Sequence, residues 1–288
     1  MKLKQGIVIA VANNYADVKV NDKFYQAHIR QKIKTNGALL VGDQVGLTMI
    51  DDNQAVIEKI FPRSNELYRP RITNINQVVI VNALTNPTFN TLILNKLLTL
   101  FNFYQIDVIL VFTKTDLVKK TDSVWKKIEY YQALKYPCYF VSNNNQVGIK
   151  ELRTIFKNKF SLLTGVSGVG KSSLLNSLEP GLNLTTNEIS LTLKHGKHTT
   201  TTTKLYFLLD GIIADSPGFM VLKLQGLTKF DLALNFPVIK EYVNKCKFNN
   251  CLHQNEPGCA VVKNLNDKLN KYFYQDYCKI LLEFINLH

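Results

Sequence analysis

The run Gly165-Val166-Ser167-Gly168-Val169-Gly170-Lys171-Ser172 fits the GxxxxGK[ST] spacing without a mismatch. Glycines at 165, 168 and 170 let the backbone curl so that its N–H groups, and the start of a following helix, face anionic oxygens. Lys171 would reach the β- and γ-phosphates of a nucleoside triphosphate. The Ser172 hydroxyl would ligate magnesium, and Ser173 completes the nucleotide-contacting stretch. A glycine-rich structural turn has no need of Lys171 and Ser172 directly after its last glycine.

Upstream lies Thr113-Lys114-Thr115-Asp116. A carboxylate at 116 can accept hydrogen bonds from guanine N1–H and N2–H₂, a donor pair adenine lacks, while Lys114 can lay its aliphatic stem along the base. Alone, this tetrapeptide is as well read as a surface turn; beside a phosphate loop it becomes a base-selectivity site. Ser142, after the next apolar run, could bring a hydroxyl and neighbouring backbone N–H groups to guanine O6. Downstream, Asp215-Ser216-Pro217-Gly218 offers a carboxylate that can hold magnesium through water and, at Gly218, an N–H that can sense the γ-phosphate. Between them, Gly196-Lys197-His198-Thr199-Thr200-Thr201 supplies Thr200 as the threonine that can close on magnesium.

Most GTPases run from the phosphate loop to the switch threonine, then DxxG, then the guanine motif. Here the guanine motif and its serine come first. A sheet tolerates that permutation because these sites sit at strand ends in space, so joining old termini and opening a loop need not displace them. The residue after DxxG, often a water-orienting glutamine, is Phe219, whose ring cannot do that work. His198 is the nearest polar candidate for positioning the water; arranging the loop or touching RNA are the other roles open to it.

Cys246, Cys251, His253 and Cys259 form a Cys-x₄-Cys-x-His-x₅-Cys cluster. Three thiolates and an imidazole suit a closed tetrahedral zinc with no position left for a catalytic water. Buried free cysteines would not explain His253 or the polar residues between the ligands. An odd total of five cysteines also speaks against a disulfide framework.

Elements must hold these groups. Residues 1 to about 65 contain short apolar runs at 7–12, 16–20, 24–29, 38–41, 45–49 and 55–60 with poor helical periodicity, which predicts a small β-barrel. From Gln77 the rhythm becomes βα: buried strands at 77–83, 106–112, 139–141, 161–164, 205–209 and 212–214, with helices at 89–103 and 123–134. Leu174, Leu175 and Leu178 should bind the helix after the phosphate loop to the sheet. The C-terminal part reads as helical, with Leu265, Leu269, Tyr272, Tyr277, Leu281 and Phe284 as a packing stripe.

At 288 residues with 46% hydrophobic and 20% charged residues, the chain can bury a core and is not disordered throughout. No run approaches the ~20 apolar residues of a membrane span, and the start is too short for a secretory signal, so a cytoplasmic protein with no membrane partner is expected. A net charge of +13 points to a polyanionic partner such as a nucleic-acid surface, though scattered solvated lysines would give the same sum.

Taken together, TKTD, GVSGVGKSS, GKHTTT, DSPG and CKFNNCLHQNEPGC, with Gly42-Asp43-Gln44-Val45 and Pro62-Arg63, resemble the RsgA (YjeQ) family of small-ribosomal-subunit-dependent GTPases over nearly the whole chain. The resemblance implies an α/β fold: an RNA-binding OB-fold barrel at 1–65, a circularly permuted P-loop GTPase domain at 66–222 and a mostly helical zinc-binding domain at 223–288. It implies GTP hydrolysis to GDP and phosphate, stimulated by the small (30S) subunit during its late maturation. Contact with 16S rRNA near the decoding region, and hydrolysis coupled to release, belong to the same expectation. One zinc per chain, magnesium with GTP, a monomeric state and a catalytic histidine at His198 complete it. Two departures stand out. The asparagine that usually opens the guanine motif is Thr113, which loses an amide that ties the base loop to the phosphate loop, although a threonine can partly replace it. The usual arginine of GRHTTT is Lys197, which keeps charge but loses bidentate geometry. A non-enzymatic RNA-binding module with a degenerate pocket is disfavoured by Asp116, Lys171, Ser172, Thr200 and Asp215 together, and an ATP-driven enzyme by Asp116.

Overall fold

The computed structural model describes residues 3–35, 37–182, 203–215, 224, 226–242, 244–265 and 271–285. Two compact units emerge. One takes the described residues of Met1–Asn76, Phe156–Leu162 and Asn187–Pro217, and the other those of Gln77–Ile155, Leu163–Thr186 and Gly218–His288.

The first unit starts with β1 (Lys4–Val11), β2 (Tyr15–Val20), β3 (Lys23–Ile29), the short helix α1 (Gln31–Thr35), β4 (Gln44–Met49) and β5 (Gln54–Ile60). The strands close into a barrel in the order β1-β2-β3-β5-β4. β3 and β5 pair in parallel and the other neighbours antiparallel. Period-2 alternation turns Ala16, Val18 and Val20 of β2, Tyr25 and Ala27 of β3, and Ala55 and Ile57 of β5 into the interior. Gly6 is glycine because a Cβ there would sit 2.6 Å from Val18 Cγ1.

The run at 38–41 is not the expected strand. Leu39 and Leu40 are buried, but their backbone is shaped by Asp43, whose Oδ2 accepts the Leu40 N–H at 2.8 Å; Val41 makes only an isolated bridge to Ile72. Asp43 is fully buried and meets Arg63 in a two-pronged pair, Nε to Oδ1 at 2.7 Å and Nη2 to Oδ2 at 2.8 Å. Thr73 donates to Oδ1 at 3.1 Å. This network fastens the barrel to the small hairpin of β6 (Glu66–Leu67) and β7 (Ile72–Thr73).

Next come β8 (Gln77–Ala83), α2 (Thr91–Phe103), β9 (Asp107–Thr113), α3 (Val124–Ala133), β10 (Cys138–Phe140), α4 (Ile149–Arg153), β11 (Phe160–Thr164) and α5 (Lys171–Leu178). β12 (Lys204–Leu208) and β13 (Gly211–Asp215) form an antiparallel hairpin. The sheet order is β10-β9-β8-β11-β13-β12, with β11 contributing residues to both units. Strands such as β8 and β9 are apolar almost throughout because both faces are covered.

The remaining helices are α6 (Lys229–Asn235), α7 (Ala260–Asn264) and α8 (Lys271–Ile285). Thr228 and Asp231 form a capping box that starts α6. In α8 Tyr277 and Leu281 of the expected stripe are buried, together with Phe273 and Ile280, whereas Tyr272 is 43% exposed; Leu269 lies outside the described residues. Phe273 takes the place expected of Tyr272, because 273, 277, 280 and 281 form an i, i+4, i+7, i+8 set that keeps a single helix face. Phe273 stacks on Tyr130 of α3 at 4.0 Å, and Asp276 accepts from Asn95 Nδ2 of α2 at 3.0 Å. Among the described residues no helix is long and apolar enough to cross a membrane.

Candidate nucleotide site and metal centre

β11 is buried at all five positions and delivers the chain into the phosphate loop. Gly165, Gly168 and Gly170 take φ of 151°, 79° and 95°, conformations that L side chains rarely adopt. At Gly165 a Cβ would also lie 2.3 Å from the Val81 carbonyl oxygen, so the first turn of the loop can press against β8 only without a side chain. Lys171 folds over the loop and donates to the Gly165 carbonyl at 2.7 Å and the Val166 carbonyl at 3.3 Å. Ser172 and Ser173 stand in the first turn of α5, while Ser167 and Gly168 are exposed. Leu174, Leu175 and Leu178 are fully buried as the spacing predicts, and at roughly 1.5–3 kcal/mol per buried side chain they anchor the helix that carries the loop.

The guanine tetrapeptide begins at the end of β9, in the same unit. Thr113 is fully buried and its hydroxyl donates to the Val169 carbonyl at 2.6 Å, a tie between base loop and phosphate loop made by the residue that replaces asparagine. A second tie comes from Lys114, at φ 59°, whose ammonium donates to the Gly168 carbonyl at 3.0 Å and to that of Asn86. The Thr115 N–H reaches the Val141 carbonyl at 3.4 Å. Asp116 is exposed at the rim. The Ser142 hydroxyl holds its carboxyl below the usual aspartate range, helped by a backbone N–H and by Asn144 Nδ2 at 3.1 Å. Ser142 itself is buried and accepts the Asn145 N–H at 3.2 Å. The Asn144 contact and the Lys114 tie were not foreseen; the polar run Asn143-Asn144-Asn145 after the serine was the signal available in the sequence.

Asp215 closes β13 in the first unit. Lys197, His198, Thr200, Gly218 and Phe219 lie outside the described residues.

The four expected metal ligands do converge. Cys246 Sγ, Cys251 Sγ, a His253 ring nitrogen and Cys259 Sγ all lie within 4.8 Å of one another. His253 Nδ1 is 3.5 Å from the Cys246 sulfur and 3.7 Å from that of Cys259. The edge of a tetrahedron with ~2.3 Å metal–sulfur bonds is about 3.8 Å, so the donor set suits zinc. Backbone N–H groups point at the sulfurs: Ala260 at Cys246 (3.3 Å), and Val262 at Cys259 (3.5 Å) as α7 begins. Glu256 shapes the intervening turn by accepting from the N–H groups of Leu252 and Gln254 at 2.7 and 2.8 Å. Burial pushes the Cys251 thiol up to about 12, raises Cys259 and lowers His253. Two buried thiolates beside the half-buried Cys246 are therefore tolerable only around a cation, and a neutral imidazole is the form that binds one.

A family model described as RsgA GTPase matches residues 60–225, more than half of the chain. This chain belongs to the RsgA GTPase family. A relative from Phytoplasma australiense, "Small ribosomal subunit biogenesis GTPase RsgA", is 42% identical over 250 residues, covering 85% of this chain and 80% of its own. The crystal structure of YloQ, "a circularly permuted GTPase", superposes with a TM-score of 0.82 at 30% identity, covering 99% of this chain and 96% of the other. YjeQ from Thermotoga maritima gives a TM-score of 0.83 at 31% identity and 98% coverage of both chains. The RsgA-family fold and the permutation thus agree with the order of elements, in which the base loop after β9 precedes the phosphate loop after β11. The five-stranded barrel, the α/β sheet and the helical C-terminal region with its Cys₃His cluster complete the RsgA-family architecture.

Proposed function

We propose that this GTPase acts in small ribosomal subunit biogenesis, binding the small subunit and its 16S rRNA and coupling hydrolysis of GTP to its own release. The observation that carries the reading is the fastening of an Asp116-bearing loop onto the phosphate loop through Thr113 and Lys114, which puts a guanine-selecting carboxylate and a phosphate cradle on one rigid support. The relatives are named for small subunit biogenesis, and the chain spans 80% or more of their length. Three parts divide the work: a barrel at 1–65 for RNA, the permuted GTPase at 66–222 and the zinc-stabilised region at 223–288. The protein works as a monomer in the cytoplasm, where subunits are assembled.

In the nucleotide site the N–H groups of 165–170 and of the α5 start would hold the phosphates, while Lys171 leaves its carbonyl partners for the β- and γ-phosphates. Ser172, Thr200 and, through water, Asp215 would hold magnesium, which on binding neutralises charge developing on the phosphates. Gly218 would sense the γ-phosphate. Asp116, with Ser142 and the N–H groups beside it, would read the guanine. Cys246, Cys251, His253 and Cys259 would hold one structural zinc, leaving no ligand position for catalysis.

With Phe219 after DxPG, intrinsic hydrolysis is slow, and docking on the subunit brings His198 to the γ-phosphate to position the water. Single-turnover GTP cleavage with and without purified small subunits tests this. Strong stimulation in wild type, lost for the most part in His198→Ala at unchanged GTP affinity, is expected. Undiminished stimulation in the variant moves the water-positioning role elsewhere.

A further inference from the structure

The described half of the base pocket contains one polar side chain that the reading above leaves without work. Asn143 follows Ser142, is half-buried, and has a buried Oδ1 with no hydrogen-bond partner among the described residues. Its Nδ2 lies 3.5 Å from the position a Cβ would take on Gly170, and Thr113 Oγ1 lies 3.9 Å from that same point. Asn143 and Thr113 thus flank the last glycine of the phosphate loop, where base loop and phosphate loop meet.

The neighbouring polar groups are already committed. The single hydroxyl proton of Thr113 goes to the Val169 carbonyl, so position 113 has no donor to offer a base. Ser142 and Asn144 both serve Asp116. The amide of Asn143 has one end turned inward and one toward the loop junction. An inward carbonyl leaves one acceptor unpaired, at a cost of about 1–3 kcal/mol, whereas an inward NH₂ would leave two donors unpaired. The NH₂ end therefore faces the junction.

Resting on the guanine reading of this pocket, we propose that Asn143 is a base-reading residue whose Nδ2 donates to the O6/N7 acceptor edge of the purine. It supplies from the serine loop the amide that Thr113 cannot. Asp116 takes the donor edge of guanine and Asn143 the acceptor edge, so the two loops hold the base between them.

Equilibrium binding of GDP, ADP, 7-deaza-GDP and 6-thio-GDP to the full chain tests the assignment, with wild type, Asn143→Ala and Asn143→Asp. Asn143→Ala should weaken GDP roughly ten-fold, the scale of one good base contact. Asn143→Asp keeps the shape but sets a carboxylate against two acceptors, and should weaken GDP at least as much. At least one analogue should lose affinity for wild type and lose much less for Asn143→Ala. A purely structural role would lower the melting temperature of the nucleotide-free protein and shift GDP and both analogues alike, which overturns the proposal. Variants that bind GDP as wild type does overturn it while leaving the guanine site standing. A wild type that binds ADP as well as GDP overturns both.

Discussion

Asp116 and Arg63 show two ways a single charged side chain decides behaviour. Asp116 is exposed, so its value is in what it accepts from a ligand rather than in fold stability. Asp116→Asn should erode the preference for GDP over ADP by the ~1–3 kcal/mol of a bidentate base contact and improve xanthine-nucleotide binding, read out by competition. Its pKa is lowered in the folded chain, mainly by Ser142, so the carboxylate stays ionised below the usual titration range near 3.9. Guanine preference should accordingly be flat from about pH 8 to pH 5 and fade only in stronger acid, as the group finally protonates. A fall in preference around neutrality would assign the selectivity to another group. Arg63 differs because its partner Asp43 is fully buried; Asp43, with Glu66, also raises the pKa of the guanidinium. Arg63→Ala leaves that carboxylate uncompensated and should destabilise the barrel unit by about 3 kcal/mol, with amide exchange in β1–β5 accelerating far more than in β8 and β9. Arg63→Lys should recover only part of it, since an ammonium cannot make the two-pronged contact.

At the scale of elements, α8 is the strut of the second unit. Its buried face carries Asp276 to Asn95 of α2, which in turn accepts from the Tyr131 hydroxyl of α3 at 3.1 Å. The same helix reaches back to the metal cluster: Tyr277 donates to the Leu252 carbonyl at 2.6 Å and Tyr274 to that of His253 at 2.7 Å. The turn bearing His253, held at φ 58°, is thus fixed from outside by helix hydroxyls. Elemental analysis should find one zinc per chain, and chelation should raise amide exchange in 246–265 and α8 before GDP affinity changes. Tyr277→Phe, at a cost of about 1 kcal/mol, should speed zinc loss to a chelator with GDP binding intact. Zinc loss at the wild-type rate would remove α8 from the account of the metal site.

For the molecule as a whole, 35 Lys and Arg against 22 Asp and Glu leave a charge that no internal pairing consumes. Several cations sit over exposed rings, such as Lys247 on Phe248 at 5.4 Å and Lys127 on Tyr272 at 5.0 Å, so basic and stacking groups are interleaved at the surface. If rRNA is the partner, the subunit-binding constant should fall steeply and linearly on a log–log plot against salt, while GDP affinity changes little. A salt-insensitive association would point to protein rather than RNA contacts.

The sequence by itself determined the phosphate loop, the permuted order and the Cys₃His cluster, because each rests on a local requirement. Glycine must stand where φ is positive, Lys171 and Ser172 must follow the last glycine, and four ligands must fall within one short stretch. The apolar alternation that built the barrel and the leucine spacing of α5 are local in the same sense. Tertiary structure alone decided the rest. Asp43 meets Arg63 across 20 residues, Thr113 meets Val169 across 56 and Asn95 meets Asp276 across 181. No periodicity encodes such partners, since a buried polar group is satisfied by whichever chain folding brings within about 3 Å. For the same reason 38–41 gave up strand geometry to the Asp43 side chain, and the buried face of α8 kept Tyr277 and Leu281 but took Phe273 in place of Tyr272. The neighbours, rather than the segment, chose the face.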